Sequence, residues 1–178
     1  MIDAGMSTSS NLSETKSSQR AQDVGDQAKI FAARMRLQNA FDQADALDAI
    51  REIAGNLIGT EEIAIFKADK KRSELWLYWS FGVDPNKHSV LEVSREPVLK
   101  QVLTGKPVFR RRLSNEKLLS CDDPVSALVP ILVDGTVVAV IVLFRLFSHK
   151  SGLQSVDQEI CEVLSNCAGR AIEPYHAR

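Results

Sequence analysis

The chain has 178 residues, a length typical of one domain and sufficient to bury a core without disulfides or metal ions. Charged residues make up 25%, apolar residues 44% and the formal net charge is −1, which is typical of a globular protein without general attraction to nucleic acid or acidic lipid. The three cysteines include no CxxC pair, so we expect neither a disulfide framework nor a zinc site, and a reducing compartment fits best.

The sequence shows no targeting or membrane segment. Residues 1–18 are dominated by Ser, Thr, Asn and Glu, which is not the pattern of a secretory signal. The apolar run after Gly135 ends before Ser148 and contains Arg145, whereas a spanning helix needs roughly 20 apolar residues. We therefore expect a cytoplasmic protein without membrane insertion.

The N-terminal part divides into a tail and two helices. Residues 1–22 are Ser-rich and lack apolar periodicity, which predicts a disordered tail. From Val24 apolar residues recur at three- and four-residue steps and predict a helix over 24–42. A second helical set starts at Leu47 and ends at Gly59, a residue that favours helix ends. The predicted division is a tail (1–22), an N-terminal helix (23–42) and a domain (43–178).

The period then changes to that of strands. The segments EEIAIFKAD and LWLYWSFG flank a polar turn and predict a hairpin over 61–82. One face of the second strand is expected to pack in the core, and the other to meet a helix, a pocket or a protein interface. Strict alternation places Trp76, Tyr78 and Ser80 on one face and Leu75, Leu77, Trp79 and Phe81 on the other.

The middle of the chain predicts a short helix and a short strand. SREPVLKQVLTG has Ser94 as a candidate N-cap, Pro97 in the first turn and Gly105 after the end. KPVFRRRL predicts a strand. Its arginines (110–112) could bind a phosphate-containing ligand or an acidic partner. Alternatively, their charge protects a sheet edge. Edge protection is the favoured interpretation.

Three features mark the last part of the chain. Asp134-Gly135 lies between the β-branched runs ALVPILV and TVVAVIVLFRL, which is a strong hairpin signal, and the second run is apolar enough for a central strand. Pro130 lacks an N–H and is expected at an edge, a strand start or a bulge. SVDQEICEVLSNCAGRAIEP predicts a closing helix with Ser155 and Gln158 at capping-box spacing and an end at Pro174.

Helices at both ends of a run of strands predict an α+β domain, with a mainly antiparallel central sheet of five to six strands flanked by N- and C-terminal helices. This order resembles the GAF domain family, and so do the segments VLTGKPVF, SALVPILVDGTVVAVIVL and SVDQEICEVLSNCAGRAI, over about residues 43–173. The resemblance implies a GAF- or PAS-like fold and a sensory or docking module. Such domains bind a small ligand or chromophore between the sheet and its overlying helices and loops, and many dimerise through their terminal helices. Because the chain ends after the closing helix, we expect its output to act on a separate signalling protein.

The cysteines and histidines give little sign of catalysis, and the three histidines (His88, His149 and His176) lie far apart and are expected at the surface. Cys121 lies in LLSCDDP, in the loop that often borders the ligand in GAF-like pockets, and is either a functional thiol or, as we favour, an incidental one. Bilin-binding members usually have His after the cysteine, where this chain has Asp122, and GAF-like methionine sulfoxide reductases use several loop cysteines. Cys161 and Cys167 are expected to be small buried hydrophobes or residues of a helix interface. No nucleophile–base set, metal site or cofactor is therefore predicted.

The sequence thus predicts a non-enzymatic regulatory module that acts on a separate protein by contact, or alternatively a small-molecule sensor with its ligand in the pocket. Because the apolar residues of helix 24–42 need cover, we expect that helix to pack with the closing helix across a two-fold axis of a homodimer. The candidate pocket residues are Trp79, Phe81, Cys121 and Ser126, and the candidate interface residues are Phe31, Met35, Phe41, Ile160, Leu164 and Cys167.

Overall fold

A six-stranded antiparallel sheet separates two apolar layers, in the strand order β3-β2-β1-β6-β5-β4. The computed structural model describes residues 8–110 and 117–173, with side chains from residue 15 onward. The strands are β1 (Ile63–Ala68), β2 (Glu74–Phe81), β3 (Val90–Glu92), β4 (Val108–Phe109), β5 (Ala127–Val133) and β6 (Thr136–Leu143). The helices are α1 (Thr8–Gln38), α2 (Gln43–Ile53) with a π-helical turn (Ala54–Ile58), α3 (Pro97–Val102) and α4 (Ser155–Cys167) with a 3₁₀ turn (Ala168–Ala171).

Each face of the sheet has its own core. On one face α1, α2 and α4 pack against residues such as Ile65, Val129 and Ile141, and this is the helix-covered face. On the other face α3 and the loops pack against residues such as Phe66 and Val140, and this is the α3 face. β1 and β6 are central and buried on both faces, as the apolar run in β6 predicted. The predicted α+β class and antiparallel sheet are confirmed.

The first helix is longer than the periodicity indicated at its N-terminal end. It begins at Thr8, so residues 8–22, predicted to be disordered, are helical; residues 1–7 lie outside the described part. This stretch contains no proline and few residues that disfavour helix strongly. The helix ends at Gln38, before the predicted end at residue 42. Asp42 instead caps the next helix, its side chain accepting the Asp45 N–H at 2.8 Å.

The two hairpins form where they were predicted. Asp134 and Gly135 have φ of 49° and 75°, the positive values that the turn needs. Pro130 lies in β5 beyond the end of β4, which pairs only as far as Leu128, so its missing N–H has no ladder partner on that side to lose.

Two predicted caps are wrong by one or two residues. Glu96, not Ser94, precedes α3, with Pro97 at the first helical position as expected. The capping box of α4 uses Gln154 and Asp157 rather than Ser155 and Gln158. Only Gln154 has extended backbone at the right place, so the box forms one residue earlier than the Ser-x-x-Gln pattern indicated.

Ser165 is a buried hydroxyl on α4 without a partner among the described residues. Its side-chain oxygen is inaccessible and makes no hydrogen bond, and the residue is 2% exposed. Ser165→Ala removes an unsatisfied polar group from the core and is expected to raise the free energy of unfolding by about 1 kcal/mol. Chemical denaturation of both proteins measures the change. A loss of stability would show that this hydroxyl is hydrogen-bonded in solution.

Candidate edge cleft and the two faces of the sheet

A cleft of about 870 Å³ opens at the β4 edge of the sheet. Three segments form its walls: the start of α3, the β4 strand and the loop before β5. Lining residues are Glu96, Pro97, Val98, Gln101, Pro107, Val108, Phe109, Arg110, Lys117, Leu118, Leu119 and Ser120. The size is that of a small-molecule pocket.

The polar groups of this cleft have mixed charge. Both carboxylate oxygens of Glu96 accept the Ser120 N–H, at 2.9 and 3.1 Å, which ties the loop to α3. Lys117 donates to the Cys121 carbonyl at 3.3 Å. Among the described lining residues Glu96 is acidic and Arg110 and Lys117 are basic, so the cleft combines an apolar wall with groups of both signs.

The space between the sheet and α3 is filled by the chain itself. Phe66, Leu75, Leu99, Leu128 and Phe144 of the α3 face are all at most 1% exposed and form one cluster. Among the described residues, these side chains occupy the middle of the α3 face, and the cleft lies at its edge.

His88, expected at the surface from the sequence, is buried at the side of the same face. His88 is 5% exposed, its Nε2 lies 2.8 Å from the Asp123 carboxylate, and its ring lies 5.1 Å from that of Phe144. The hydrogen bond with His88 is the main reason that the pKa of Asp123 is lowered. The pair fastens the loop after β2 to the loop before β5, over the filled core.

Cys121 is part of this packing and is not an activated thiol. Its Sγ lies 3.4 Å from the Asp123 carbonyl and its side chain packs against the α3-face cluster. Burial, followed by the negative charge of Asp123, raises the pKa of the thiol. Nucleophilic cysteines have the opposite environment, one that lowers the pKa. Among the described residues no group of three His, Cys, Asp or Glu side chains could hold a metal ion.

The structure does not bring the four predicted pocket residues together. Cys121 lies in the loop before β5, directly after the cleft residue Ser120. Ser126 lies where that loop joins β5, and its carbonyl accepts the N–H of the cleft residue Arg110. Trp79 packs on the helix-covered core, and the Arg51 guanidinium of α2 lies over the Phe81 ring. The two aromatic residues are therefore on the opposite face from the cleft.

A bulge explains this error. Ile65 pairs with Trp79 but Phe66 pairs with Leu77, so Tyr78 is an extra residue in β2. The extra residue reverses the alternation. Trp76, Tyr78, Trp79 and Phe81 consequently share the helix-covered face, whereas Leu75 and Leu77 pack on the α3 face.

The predicted interface residues also separate into two groups. Ile160 and Leu164 are completely buried in the chain's own core, where α4 meets α1, so they present no surface to a second copy, and Cys167 packs against the same core. Phe31, Met35 and Phe41 are 64%, 36% and 83% exposed. The interface prediction must therefore be revised to exclude the buried α4 residues.

Sequence reasoning missed the residues that shape the cleft and its surroundings. Glu96 and Ser120 are 24 positions apart, and His88 and Asp123 are 35 apart, so no local spacing connects them. Arg111 and Arg112 of the arginine run lie outside the described residues, as does Pro174.

The fold is similar to those of several solved structures. The GAF domain of a phosphoenolpyruvate-protein phosphotransferase (ptsP) from Coxiella burnetii superimposes with a TM-score of 0.62 at 12% identity, over 82% of this chain and 91% of that one. The nlh2 GAF domain of A. aeolicus, in an inactive state, gives a TM-score of 0.60 at 18% identity, over 83% and 94%. The chain has a GAF-like fold.

The GAF-like fold also occurs in an enzyme. A free methionine-R-sulfoxide reductase from Neisseria meningitidis, in complex with its substrate, gives a TM-score of 0.56 at 14% identity, over 80% of this chain and 87% of that one. No family model matches the sequence, and no curated protein is similar to it. Within the described residues, no helix has both the length and the apolar character needed to cross a membrane. The fold alone does not assign a function, which has to come from the surfaces.

Proposed function

We propose that the chain is a non-enzymatic regulatory module, cytoplasmic and homodimeric, that acts on a separate signalling protein by direct contact. The observation that carries this proposal is the filled α3 face, where the chain's own side chains occupy the space between the sheet and α3. Several solved neighbours are described as GAF domains, among them one in a GAF domain/HD domain protein from Geobacter sulfurreducens. Cys121 packs against the α3-face cluster and burial raises the pKa of its thiol, which supports a role without thiol chemistry.

The experiment that tests this function is reconstitution. The tagged chain is isolated from cells of its source organism after mild cross-linking, co-purifying proteins are identified, and each is purified separately. We expect one of them to bind the purified chain saturably in isothermal titration calorimetry, with no small molecule added. Binding that needs a small-molecule extract of the cells would contradict the proposal, and so would the absence of any reconstituted complex.

A second candidate function is a small-molecule sensor. The edge cleft supports it, since it has the volume of a ligand pocket and an apolar wall with polar groups of both signs. A ligand there would contact Glu96, which precedes α3, and Lys117 in the loop before β5, and would shift the position of α3 relative to that loop.

The proposed homodimer uses the side of α1 that the core leaves uncovered. α1 has 31 residues, about 46 Å of helix, and it faces the core through Ile30, Ala33 and Leu37. The opposite side of α1 has an apolar stripe whose members are four, three and four residues apart. The stripe consists of Val24, Ala28, Phe31 and Met35 and has no charged side chain. Two copies can place identical apolar stripes together without like-charge repulsion, which favours a second copy over a charged partner.

Phe31→Asp is expected to convert the dimer into a monomer, because two introduced carboxylates would meet in the stripe contact. Light scattering coupled to size exclusion at micromolar concentration measures the mass. The matched control is Gln22→Asp, which adds the same charge to another, exposed side of α1 and should leave the dimer intact. A wild-type protein that is already monomeric would contradict the stripe contact.

A further inference from the structure

A row of aromatic side chains on β2 lies on the helix-covered face but is only partly covered. Trp76 is 53% exposed and Phe81 is 39% exposed, while Tyr78 and Trp79 between them are half-buried against the core. Large aromatic side chains at the surface often belong to interaction sites rather than to the core.

The bulge at Tyr78 is what makes the row continuous. Without it, strict alternation would send Trp76 and Trp79 to opposite faces. With it, all four aromatic residues fall on one face along about 17 Å of strand, enough to accompany an extended segment of five or six residues. The exposed ends of the row and the half-buried middle give a shallow strip.

Cationic groups accompany the row. The Arg51 guanidinium lies 5.1 Å from the centre of the Phe81 ring, and Lys67 Nζ lies 4.6 Å from the centre of the Tyr78 ring. Beyond Trp76, the β1–β2 turn presents Lys70, Lys71 and Arg72, all exposed.

The acidic residue of that turn is used internally. The Asp69 carboxylate accepts the backbone N–H groups of Ser73 and Glu74 at 2.7 and 3.1 Å and the Ser73 hydroxyl at 3.1 Å. It therefore holds the turn in shape. The three basic side chains stay available at the end of the aromatic row.

We propose that the β2 aromatic surface (Trp76, Tyr78, Trp79 and Phe81, with Arg51 and Lys67) binds an acidic segment, interspersed with apolar residues, of the partner protein. Tyr, Trp and Arg dominate the energy of protein interfaces. Lys67 also donates to the Ile172 carbonyl at 3.3 Å, and Arg51 lies 3.6 Å from Asp48. The main complement to carboxylates of the partner is therefore the exposed basic group of the turn, Lys70, Lys71 and Arg72. A nucleic acid fits less well, because Asp48 near Arg51 and Glu74 at Trp76 would face a continuous phosphate backbone, whereas a peptide can place apolar residues opposite these two carboxylates. This inference rests on the proposed contact with a separate protein.

Site-specific photo-cross-linking in cells of the source organism tests it. p-Benzoylphenylalanine replaces Trp76 in one strain and the exposed Lys100 of α3, on the other face, in a second. We expect a cross-link at position 76 only, whose sequenced peptide comes from another protein and contains Asp or Glu among apolar residues. A cross-link to a second copy of this chain, or to nucleic acid, would overturn the proposal.

A labelled synthetic peptide with the sequence of the cross-linked segment is then titrated with the chain. Fluorescence anisotropy measures its affinity. Trp76→Ala is expected to weaken binding at least tenfold, and Lys70→Glu with Lys71→Glu at least fivefold, with weaker binding at high salt. Lys100→Glu, a charge change on the other face, should leave affinity unchanged. Equal affinity of all variants would overturn the proposal.

The two experiments distinguish failure of the β2 aromatic surface from failure of the proposed function. If the reconstituted partner binds but cross-links only at position 100, the regulatory contact exists and the β2 surface is not its site. If no purified partner binds the chain at all, the proposed function itself fails.

Discussion

Replacing Lys150 by Met is expected to lower the free energy of unfolding by about 4 kcal/mol, since it leaves a buried carboxylate without its counter-ion. Lys150 Nζ lies 2.8 Å from Asp157 Oδ2, and the two side chains are 16% and 3% exposed. The same ammonium also donates to the Ile58 carbonyl at the end of the π-helical turn. One side chain thus ties together the α2 end, the loop before α4 and the start of α4.

Urea denaturation followed by far-UV circular dichroism measures this change. Lys100→Met is the matched control, because the same chemical change at an exposed position of α3 should alter stability by less than about 0.5 kcal/mol. Lys150→Met together with Asp157→Asn should recover part of the loss, because no charge is left uncompensated and the asparagine oxygen can still accept the Gln154 N–H. If Lys150→Met behaved like the control, the ion pair would be absent in solution.

Replacing Gly82 by Ala is expected to cost about 3 kcal/mol, through backbone strain and overlap together. Gly82 follows β2 with φ of 72°, and an added Cβ would lie 2.0 Å from the Glu61 carbonyl oxygen. Because that atom belongs to the backbone just before β1, relief requires the two strand ends to move apart.

Gly135→Ala separates the two causes. Gly135 has φ of 75° but nothing within 4 Å of an added Cβ, so its replacement carries the strain alone, about 1 kcal/mol. Thermal unfolding of the two variants should therefore show a clearly larger loss for Gly82→Ala. Equal losses would mean that the close approach of Gly82 and Glu61 is not present in solution.

Local signals in the sequence were sufficient for much of the fold. Asp134-Gly135 predicted its hairpin because only certain residues accept two consecutive positive φ values, and Pro97 marked the first turn of α3 because its missing N–H costs nothing there. The apolar run of β6 predicted a strand covered on both faces. These features depend on a few neighbouring residues, which a sequence displays directly.

The predictions that were wrong depended on contacts between distant segments. The bulge at Tyr78 follows from how β2 pairs with β1, and it moved Trp79 and Phe81 away from the predicted pocket. Ile160 and Leu164 have the same apolar periodicity whether they face a second copy or α1 of their own chain. The His88–Asp123 contact joins two loops 35 positions apart, which no local spacing reveals.

The most direct test of the central claim is native mass spectrometry of the chain purified from its source organism, with a denatured sample alongside. We expect a homodimer. Its mass should equal twice that of the denatured chain, without a retained small molecule, because the α3 face is filled by Phe66, Leu99, Phe144 and their neighbours. An additional mass of a small molecule, retained in the native sample and lost on denaturation, would contradict it. That result would make the edge cleft the functional site and the chain a ligand sensor.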